Sequence, residues 1–121
     1  MILDTNILID VLSGDEKLEQ SLEKMNEKIA TTVVTRYELQ KGSGEADGMS
    51  LIGSLEVYGL EDRSADRAAA IYKQLEKKGK LVNEFDILIA SIAIAHDELL
   101  VTRDNDFKEI AKVSPLKIIF V

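Results

Sequence analysis

Short apolar runs recur along the chain and predict buried strands. They cover residues 1–4, 29–34, 99–102 and 117–121, and they are rich in Ile, Val and Leu. Continuous apolar runs of this length are typical of strands that are covered on both faces of a sheet.

Helical spacing of apolar residues separates these runs. In residues 15–28, Leu18, Leu22 and Met25 recur at intervals of four and three, which predicts an amphipathic helix with an acidic outer face. Residues 85–95 are apolar almost all round, which predicts a helix that is buried on most sides. The other predicted helices begin at Thr35, cover residues 65–79, and run through residues 51–60 into a short strand.

Strands separated by helices predict an α/β fold with three layers, α/β/α, around a central, mostly parallel sheet. The length of 121 residues fits one compact domain over residues 1–121. Residues 42–48 are rich in Gly and predict a loop inside this domain. In folds of this class, ligands bind at the carboxyl ends of the strands.

Composition narrows the possible functions. The chain is 45% hydrophobic and 31% charged, as folded proteins are, and its net charge of −7 disfavours nucleic-acid binding through a broad positive field. Without Cys it has no thiolate nucleophile and no cysteine zinc site. It has no basic leader and no apolar run long enough to span a bilayer, so we expect a cytoplasmic protein.

Acidic residues follow the predicted strands. Asp4 follows the first strand directly, and Glu38 lies one helical turn after the second. Asp104 and Asp106 follow the strand at residues 99–102, and Asp86 lies in the first turn of the apolar helix. Because the carboxyl ends of parallel strands meet at one edge of a sheet, we expect these side chains to converge.

Each acid also has a purely structural interpretation. Asp4 could cap a helix that starts at Thr5, and Glu38 could complete a capping box with Thr35. The remaining acids could be a favourable charge in a first helical turn, or turn and cap residues. A capping acid needs no relation to the ends of other strands, so the joint placement favours a site.

A converged set of carboxylates requires a cation. Two carboxylates about 4 Å apart repel by ~4 kcal/mol at an effective dielectric of roughly 20. Several in one cleft therefore either bind protons or hold a divalent ion. A ligand set of oxygens, without Cys and with one His in the chain, favours Mg²⁺ or Mn²⁺ over Zn²⁺. Such ions support phosphoryl chemistry.

Four segments, in order along the chain, resemble one known family. MILDTNILID, TTVVTRYEL, FDILIASIAIA and LLVTRDNDF together resemble the PIN domain of VapC-type toxin ribonucleases, and the resemblance covers the whole chain. Each motif alone is modestly specific, whereas all four in this order are strongly specific. The resemblance implies a Mg²⁺- or Mn²⁺-dependent endoribonuclease that acts on RNA, forms a homodimer and is held inactive by a cognate antitoxin.

The resemblance also implies roles for individual residues. The acids assigned to metal binding and catalysis are Asp4, Glu38, Asp86 and Asp104. Asp4 and Asp86 are the expected direct ligands, and Asp106 is a second-rank alternative to Asp104. The residues implied to orient the carboxylates or to contact phosphate are Thr5, Asn6, Thr102, Arg36 and Arg103.

Two other sets of residues carry weaker expectations. Lys41 lies close to Glu38 in sequence and is a further candidate for a phosphate contact. The three tyrosines, Tyr37, Tyr58 and Tyr72, occupy positions typical of a core, so we expect them to pack rather than to stack on bases.

Three other functions fit part of the pattern. A haloacid-dehalogenase-type phosphatase also has an Asp after its first strand, but it needs a second Asp where this chain has Asn6. A signalling receiver domain is also an acid-cluster module of similar length, but it needs an acidic pair after the first strand, where this chain has a single acid. It also needs a phospho-accepting Asp after a middle strand, and no apolar strand leads into an Asp near the middle here. A PIN-like domain that has lost activity and only binds another protein is disfavoured, because all four acids are present.

Overall fold

The computed structural model describes residues 1–42 and 46–121, in which strands and helices alternate. The strands are β1 (Ile2–Leu3), β2 (Ala30–Thr32), β3 (Glu56–Tyr58), β4 (Leu100–Thr102) and β5 (Ile118–Phe120). The helices are α1 (Thr5–Leu12), α2 (Glu16–Met25), α3 (Val33–Lys41), α4 (Ala46–Ser54), α5 (Asp62–Lys77), α6 (Glu84–Ala95) and α7 (Asp106–Lys112). None of the helices in these ranges is long and apolar enough to cross a membrane.

The strands of the described residues form one sheet in the order β3-β2-β1-β4-β5, and every neighbouring pair is parallel. β1 and β4 lie side by side in the middle, with Leu3 opposite Val101. The segment after each strand therefore leaves from the same edge of the sheet. The predicted parallel sheet is confirmed, and the chain positions that follow β1 and β4 are neighbours in space.

Helices cover both faces of the sheet, because side chains alternate along each strand. Ile2 and Leu100 pack into a core that also contains apolar residues of α5, α6 and α7. Leu3 and Val101 pack into a second core with apolar residues of α1 and α2. The three-layer α/β/α fold is therefore confirmed. The all-round apolar pattern of α6 is explained by its buried residues, Ile87, Ile89, Ala90, Ile92 and Ala93.

The junction between β2 and α3 differs from the prediction. The strand ends at Thr32, and residues 33–34, which were expected in the strand, are helical. The hydroxyl of Thr32 accepts a hydrogen bond from the backbone N–H of Thr35 at 3.2 Å, so Thr32 rather than Thr35 is the N-cap. Val34 is buried against the core from its helical position, and this packing outweighs the local strand preference of a β-branched residue.

Two further helix boundaries differ from the predictions. Helix α2 ends at Met25, because the next residue, Asn26, adopts a left-handed conformation with φ of 49°. Part of the loop predicted at residues 42–48 is helical, since α4 begins at Ala46, and residues 43–45 of that loop lie outside the described residues.

Helix α7 has no counterpart among the predicted elements. It contains seven residues, and its apolar pattern is limited to two buried side chains that contact the sheet-facing core, Phe107 and Ile110. A pattern of that length is too short to reveal a helical period in the sequence.

Candidate metal centre

Asp4 lies between β1 and α1 at the carboxyl edge of the sheet, with 3% of its surface exposed. Its Oδ1 accepts a hydrogen bond from the backbone N–H of Ile7 at 3.0 Å, which makes it the N-cap of α1. Its Oδ2 accepts a hydrogen bond from the hydroxyl of Thr102. Burial raises the pKa of Asp4, the two hydrogen bonds lower it, and the charge of Asp104 raises it further. Asp4 therefore caps α1 and also lies close enough to Asp104 for the two charges to interact.

Thr102 connects Asp4 to the segment that follows β4. Its buried hydroxyl donates to Asp4 and accepts a hydrogen bond from the backbone N–H of Asp104 at 3.0 Å. Oδ1 of Asp104 in turn accepts a hydrogen bond from the backbone N–H of Asp106 at 2.9 Å. This chain of hydrogen bonds fixes the turn that carries Asp104 and Asp106 relative to the end of β1.

Asp86, Asp104 and Asp106 form a carboxylate cluster. One carboxylate oxygen of each lies within 4.8 Å of the others, and all three side chains are half-buried. Asp86 comes from the first turn of α6, whereas the other two come from the segment after β4. The structure thus places Asp106 in the cluster together with Asp104, where the sequence suggested a choice between them.

The negative charges act most strongly on Asp86. Burial raises its pKa above the ordinary value of 3.8, and neighbouring carboxylates raise it further, to about 7. These carboxylates belong, in order of decreasing effect, to Asp104, Asp4, Glu38 and Asp106. Burial and the charge of Asp104 also raise the pKa of Asp106. Asp86 is therefore the residue whose charge all four of the other acids affect.

Glu38 is positioned by two threonines. The hydroxyl of Thr5 donates to Oε1 of Glu38 at 2.7 Å, and it lies 3.1 Å from the hydroxyl of Thr35. The capping-box interpretation of Glu38 is therefore wrong, because its carboxylate bonds to a neighbouring helix rather than to its own N-terminus. Thr35 was identified from the sequence only as a cap. Its spacing of three residues from Glu38, which puts both on one face of α3, is the signal that could have placed it here.

Three polar residues that the sequence analysis placed near the acids, Arg103, Arg36 and Asn6, differ in their contacts and exposure. Nη1 of Arg103 donates to Asp10 at 2.7 Å, and its Nη2 donates to Asp15 at 3.1 Å. Arg103 therefore joins the segment after β4 to α1 and to the start of α2. Arg36 and Asn6 are exposed.

The tyrosines divide into two groups. Tyr58 and Tyr72 are partly buried and pack against the core, as expected. Tyr37 is 49% exposed, so the prediction that it packs in the core is wrong. Its position on α3 turns its ring outward because Val34 and Thr35 occupy the buried face of that helix.

The donor set of this site fits a divalent cation that prefers oxygen ligands. The cluster offers oxygens from three aspartates, and burial together with the neighbouring carboxylates disfavours the ionised form of Asp86, whose pKa is about 7. A bound cation offsets the repulsion between these carboxylates. Carboxylate oxygens without nitrogen or sulfur donors are the ligands preferred by Mg²⁺ and Mn²⁺.

Comparison with known proteins relates this arrangement to one family. The sequence profile of the PIN domain matches residues 1–113. Ribonuclease VapC3 of Methanocaldococcus jannaschii is 34% identical over 91 residues, which are 75% of this chain and 95% of that protein.

Solved structures show the same relation. The crystal structure of VapBC2 from Rickettsia felis, bound to a DNA fragment from their promoter, contains a chain that is 26% identical, with a TM-score of 0.82 over 99% of this chain and 97% of that one. VapBC-5 from Mycobacterium tuberculosis, a member of the VapBC family of toxin-antitoxin systems, contains a chain that is 26% identical, with a TM-score of 0.74 over the same shares of the two chains. The protein described here therefore belongs to the PIN domain family and is similar to its VapC ribonucleases.

Proposed function

We propose that this protein is a Mg²⁺- or Mn²⁺-dependent endoribonuclease and the toxin of a toxin–antitoxin pair. The observation that carries the proposal is the cluster of Asp86, Asp104 and Asp106, in which burial and then neighbouring charges raise the pKa of Asp86 to about 7. Such a cluster is stable in its ionised form only with a cation. Membership of the PIN family and similarity to ribonucleases support hydrolysis of a phosphodiester bond in RNA as the reaction.

The proposed roles of the residues follow from their contacts. The acids that would hold the metal are Asp4, Glu38, Asp86, Asp104 and Asp106. A bound divalent ion supplies a Lewis acid for phosphate oxygens and lowers the pKa of an attacking water. Thr102 and Thr5 orient two of the carboxylates by donating hydrogen bonds to them, as residues around metal ligands commonly do.

We further infer that residues 1–121 act as one nuclease unit in the cytoplasm, as a homodimer that a cognate antitoxin inhibits. The support comes from the similar structures, which are VapBC proteins, one of them described as a member of a family of toxin-antitoxin systems. Size-exclusion chromatography with light scattering tests the dimer, and co-purification with the protein encoded by the adjacent gene tests the antitoxin.

The reaction is tested with purified protein and single-stranded RNA in Mg²⁺, in Mn²⁺ and in EDTA. We expect cleavage only with a divalent ion, and a fall of about 100-fold or more in Asp4→Asn and Asp86→Asn, because each removes a charge that the site needs. Asp66→Asn is the matched control, since it makes the same change on the exposed face of α5 and should cleave like wild type.

Two results would contradict the proposal. Cleavage that continues in EDTA would remove the metal requirement, and full activity of both variants would remove the carboxylates from the reaction. Failure of wild type to cleave any RNA, combined with tight antitoxin binding, would favour a protein-binding module. Asp104→Asn and Asp106→Asn, measured separately, show whether the reaction needs both residues of the turn.

A further inference from the structure

Three side chains on α3 and α6, Tyr37, Lys41 and Phe85, form a surface that we call the aromatic platform. The rings of Tyr37 and Phe85 meet edge to face, with centroids 5.6 Å apart and planes inclined by 72°. The ammonium nitrogen of Lys41 lies 5.6 Å from the centroid of Tyr37 and 5.7 Å from that of Phe85. Since Tyr37 is 49% exposed, part of this surface is open to a ligand.

The aromatic platform is adjacent to two acids of the metal centre. Tyr37 directly precedes Glu38, and Phe85 directly precedes Asp86, so the Cα atom of each aromatic residue lies about 3.8 Å from the Cα atom of an acid. The contact between the two rings therefore bridges the two helices that carry those acids. Lys41 lies three residues after Glu38, which places both on one side of α3.

The charge of the protein limits how RNA can bind beside the acids. The chain has a net charge of −7, and both guanidinium amino groups of Arg103 are engaged by Asp10 and Asp15. None of the salt bridges among the described residues involves Lys41. Stacking of a base on an aromatic ring needs no positive field and tolerates any base.

We propose that the aromatic platform binds an unpaired nucleobase of the RNA next to the scissile phosphate, by stacking on Tyr37, while Lys41 contacts a neighbouring phosphate. This inference rests on the proposed ribonuclease function and adds a base-binding position to the same site. A base that stacks on Tyr37 has left its own strand stack, so the ligand is single-stranded RNA.

The proposal is tested by removing the ring of Tyr37 from the protein and, in separate experiments, by removing a base from the RNA. We expect Tyr37→Leu to raise the KM for a short single-stranded oligouridine by about 5- to 150-fold, the range for loss of one stacked base, with little change in kcat. Tyr37→Phe keeps the ring and should stay close to wild type. Lys41→Gln should also raise KM, whereas Lys28→Gln, which removes the same charge at the opposite edge of the sheet, should not.

Oligouridines with one abasic position locate the base. In wild type, an abasic residue beside the cleavage site should raise KM as strongly as Tyr37→Leu does. In Tyr37→Leu the same abasic residue should have little further effect, because the ring that contacts the base is already missing.

A measurement without cleavage separates this inference from the proposed reaction. The chain contains no Trp, so Tyr37→Trp introduces a single indole at the platform. Binding is measured with Ca²⁺ in place of Mg²⁺. Oligouridine should quench the fluorescence of this indole, and an oligouridine with an abasic residue beside the cleavage site should quench it less.

Three outcomes would overturn the inference while leaving the ribonuclease intact. The first is an unchanged KM in Tyr37→Leu, and the second is an abasic effect that is equally large in wild type and in Tyr37→Leu. The third is dissociation of a dimer by Tyr37→Leu without loss of RNA affinity, which would make the surface an interface between two copies. A wild-type protein that cleaves no RNA would overturn the ribonuclease itself.

Discussion

Asp86 experiences opposing influences on its charge. It lies in the first turn of α6, where the helix dipole and free backbone N–H groups favour a carboxylate. Burial and four neighbouring acids oppose that preference and raise its pKa to about 7. The opposing effects are larger, so without a cation about half of the molecules carry a proton on Asp86 at neutral pH.

This pKa predicts how stability depends on pH when divalent ions are removed. The pKa of Asp86 is about 7 in the folded protein against an ordinary 3.8, so between these values the folded state binds more protons than the unfolded chain. The stabilising contribution is complete below about pH 4 and is lost as the pH rises through about 7. The raised pKa values of Asp4 and Asp106 act in the same direction. Melting temperatures in EDTA between about pH 5 and about pH 8 measure the effect.

Asp86→Asn supplies the comparison, because its amide is neutral at every pH. Its melting temperature should exceed that of wild type at about pH 8 in EDTA, and the difference should shrink toward about pH 5. Asp66→Asn should follow wild type, and Mn²⁺ should recover the stability that wild type loses. Parallel profiles for wild type and Asp86→Asn would contradict the raised pKa.

Individual acids could be predicted from their positions after strands, but their contacts could not. Asp104 and Asp106 compete as alternatives in the sequence, and both join the cluster because Asp104 accepts a hydrogen bond from the backbone of Asp106. Arg103 lies next to Asp104 in sequence, yet its guanidinium pairs with Asp10 and Asp15. Those partners come from the opposite end of the chain, and no local pattern identifies them.

Threonines occupy the carboxyl ends of two strands, and they have different tasks. Thr102 ends β4 and bridges Asp4 to the backbone of Asp104. Thr32 ends β2 and caps α3. Thr31 precedes it, and its buried hydroxyl has no hydrogen-bond partner among the described residues. Thr102 and Thr32 therefore make hydrogen bonds that position other segments, whereas the hydroxyl of Thr31 makes none among the described residues.

Thr102→Val tests the bridge between β1 and β4. The substitution keeps the shape of the side chain but leaves a buried carboxylate without its donor, so we expect unfolding to require about 1–3 kcal/mol less free energy. Metal affinity should fall about 10- to 100-fold for the same reason. Urea unfolding and titration calorimetry with Mn²⁺ measure the two effects, and Thr102→Ser should restore both.

Thr31→Val is the matched control for this change. It replaces a buried hydroxyl that has no partner among the described residues, so it should leave stability unchanged or increase it. Equal destabilisation by Thr31→Val and Thr102→Val would show that a second methyl group at either position disturbs packing. The loss of stability in Thr102→Val could then not be assigned to the hydrogen bond with Asp4.

At the level of elements, the limits of a helix or strand were predicted well where a clear apolar pattern covered the whole element. The helix predicted at residues 85–95 and the strand predicted at residues 99–102 lie close to the observed α6 and β4. The β2–α3 boundary was missed because β-branched residues 33–34 favour a strand locally, while burial of Val34 against the core requires a helix. Packing of this kind depends on residues distant in sequence, which a local pattern does not contain.

At the scale of the whole molecule, the sequence predicted a parallel sheet but not the order of its strands. The order β3-β2-β1-β4-β5 makes β4 the neighbour of β1 although some hundred positions separate them. The convergence of Asp4 with Asp104 depends on that order. The rule that ligands bind at the carboxyl ends of parallel strands was enough to predict one site. The resemblance to the PIN family was needed to assign roles to individual residues of that site.

The charge of the whole molecule predicts a weak dependence of RNA binding on salt. With a net charge of −7 and few cations beside the acids, we expect only two or three contacts between cationic side chains and phosphates. Each contact contributes about −0.7 to the slope of log K against log salt concentration, so the total should lie between about −1.4 and about −2.1. Binding of single-stranded RNA at constant divalent-ion concentration measures it. A slope several times steeper would reveal a basic surface that these residues do not provide.

The distribution of the acids along the chain has a consequence for protein synthesis. Asp4 is translated before the other acids, whereas β4, Asp104 and Asp106 follow more than ninety positions later, and β4 lies between β1 and β5 in the sheet. A nascent chain that lacks them has neither all of the acids nor the second neighbour of β1, because β1 pairs with both β2 and β4. The acids of the proposed metal centre therefore cannot all come together before Asp106 has been translated, and a fragment that ends before β4 carries only some of them.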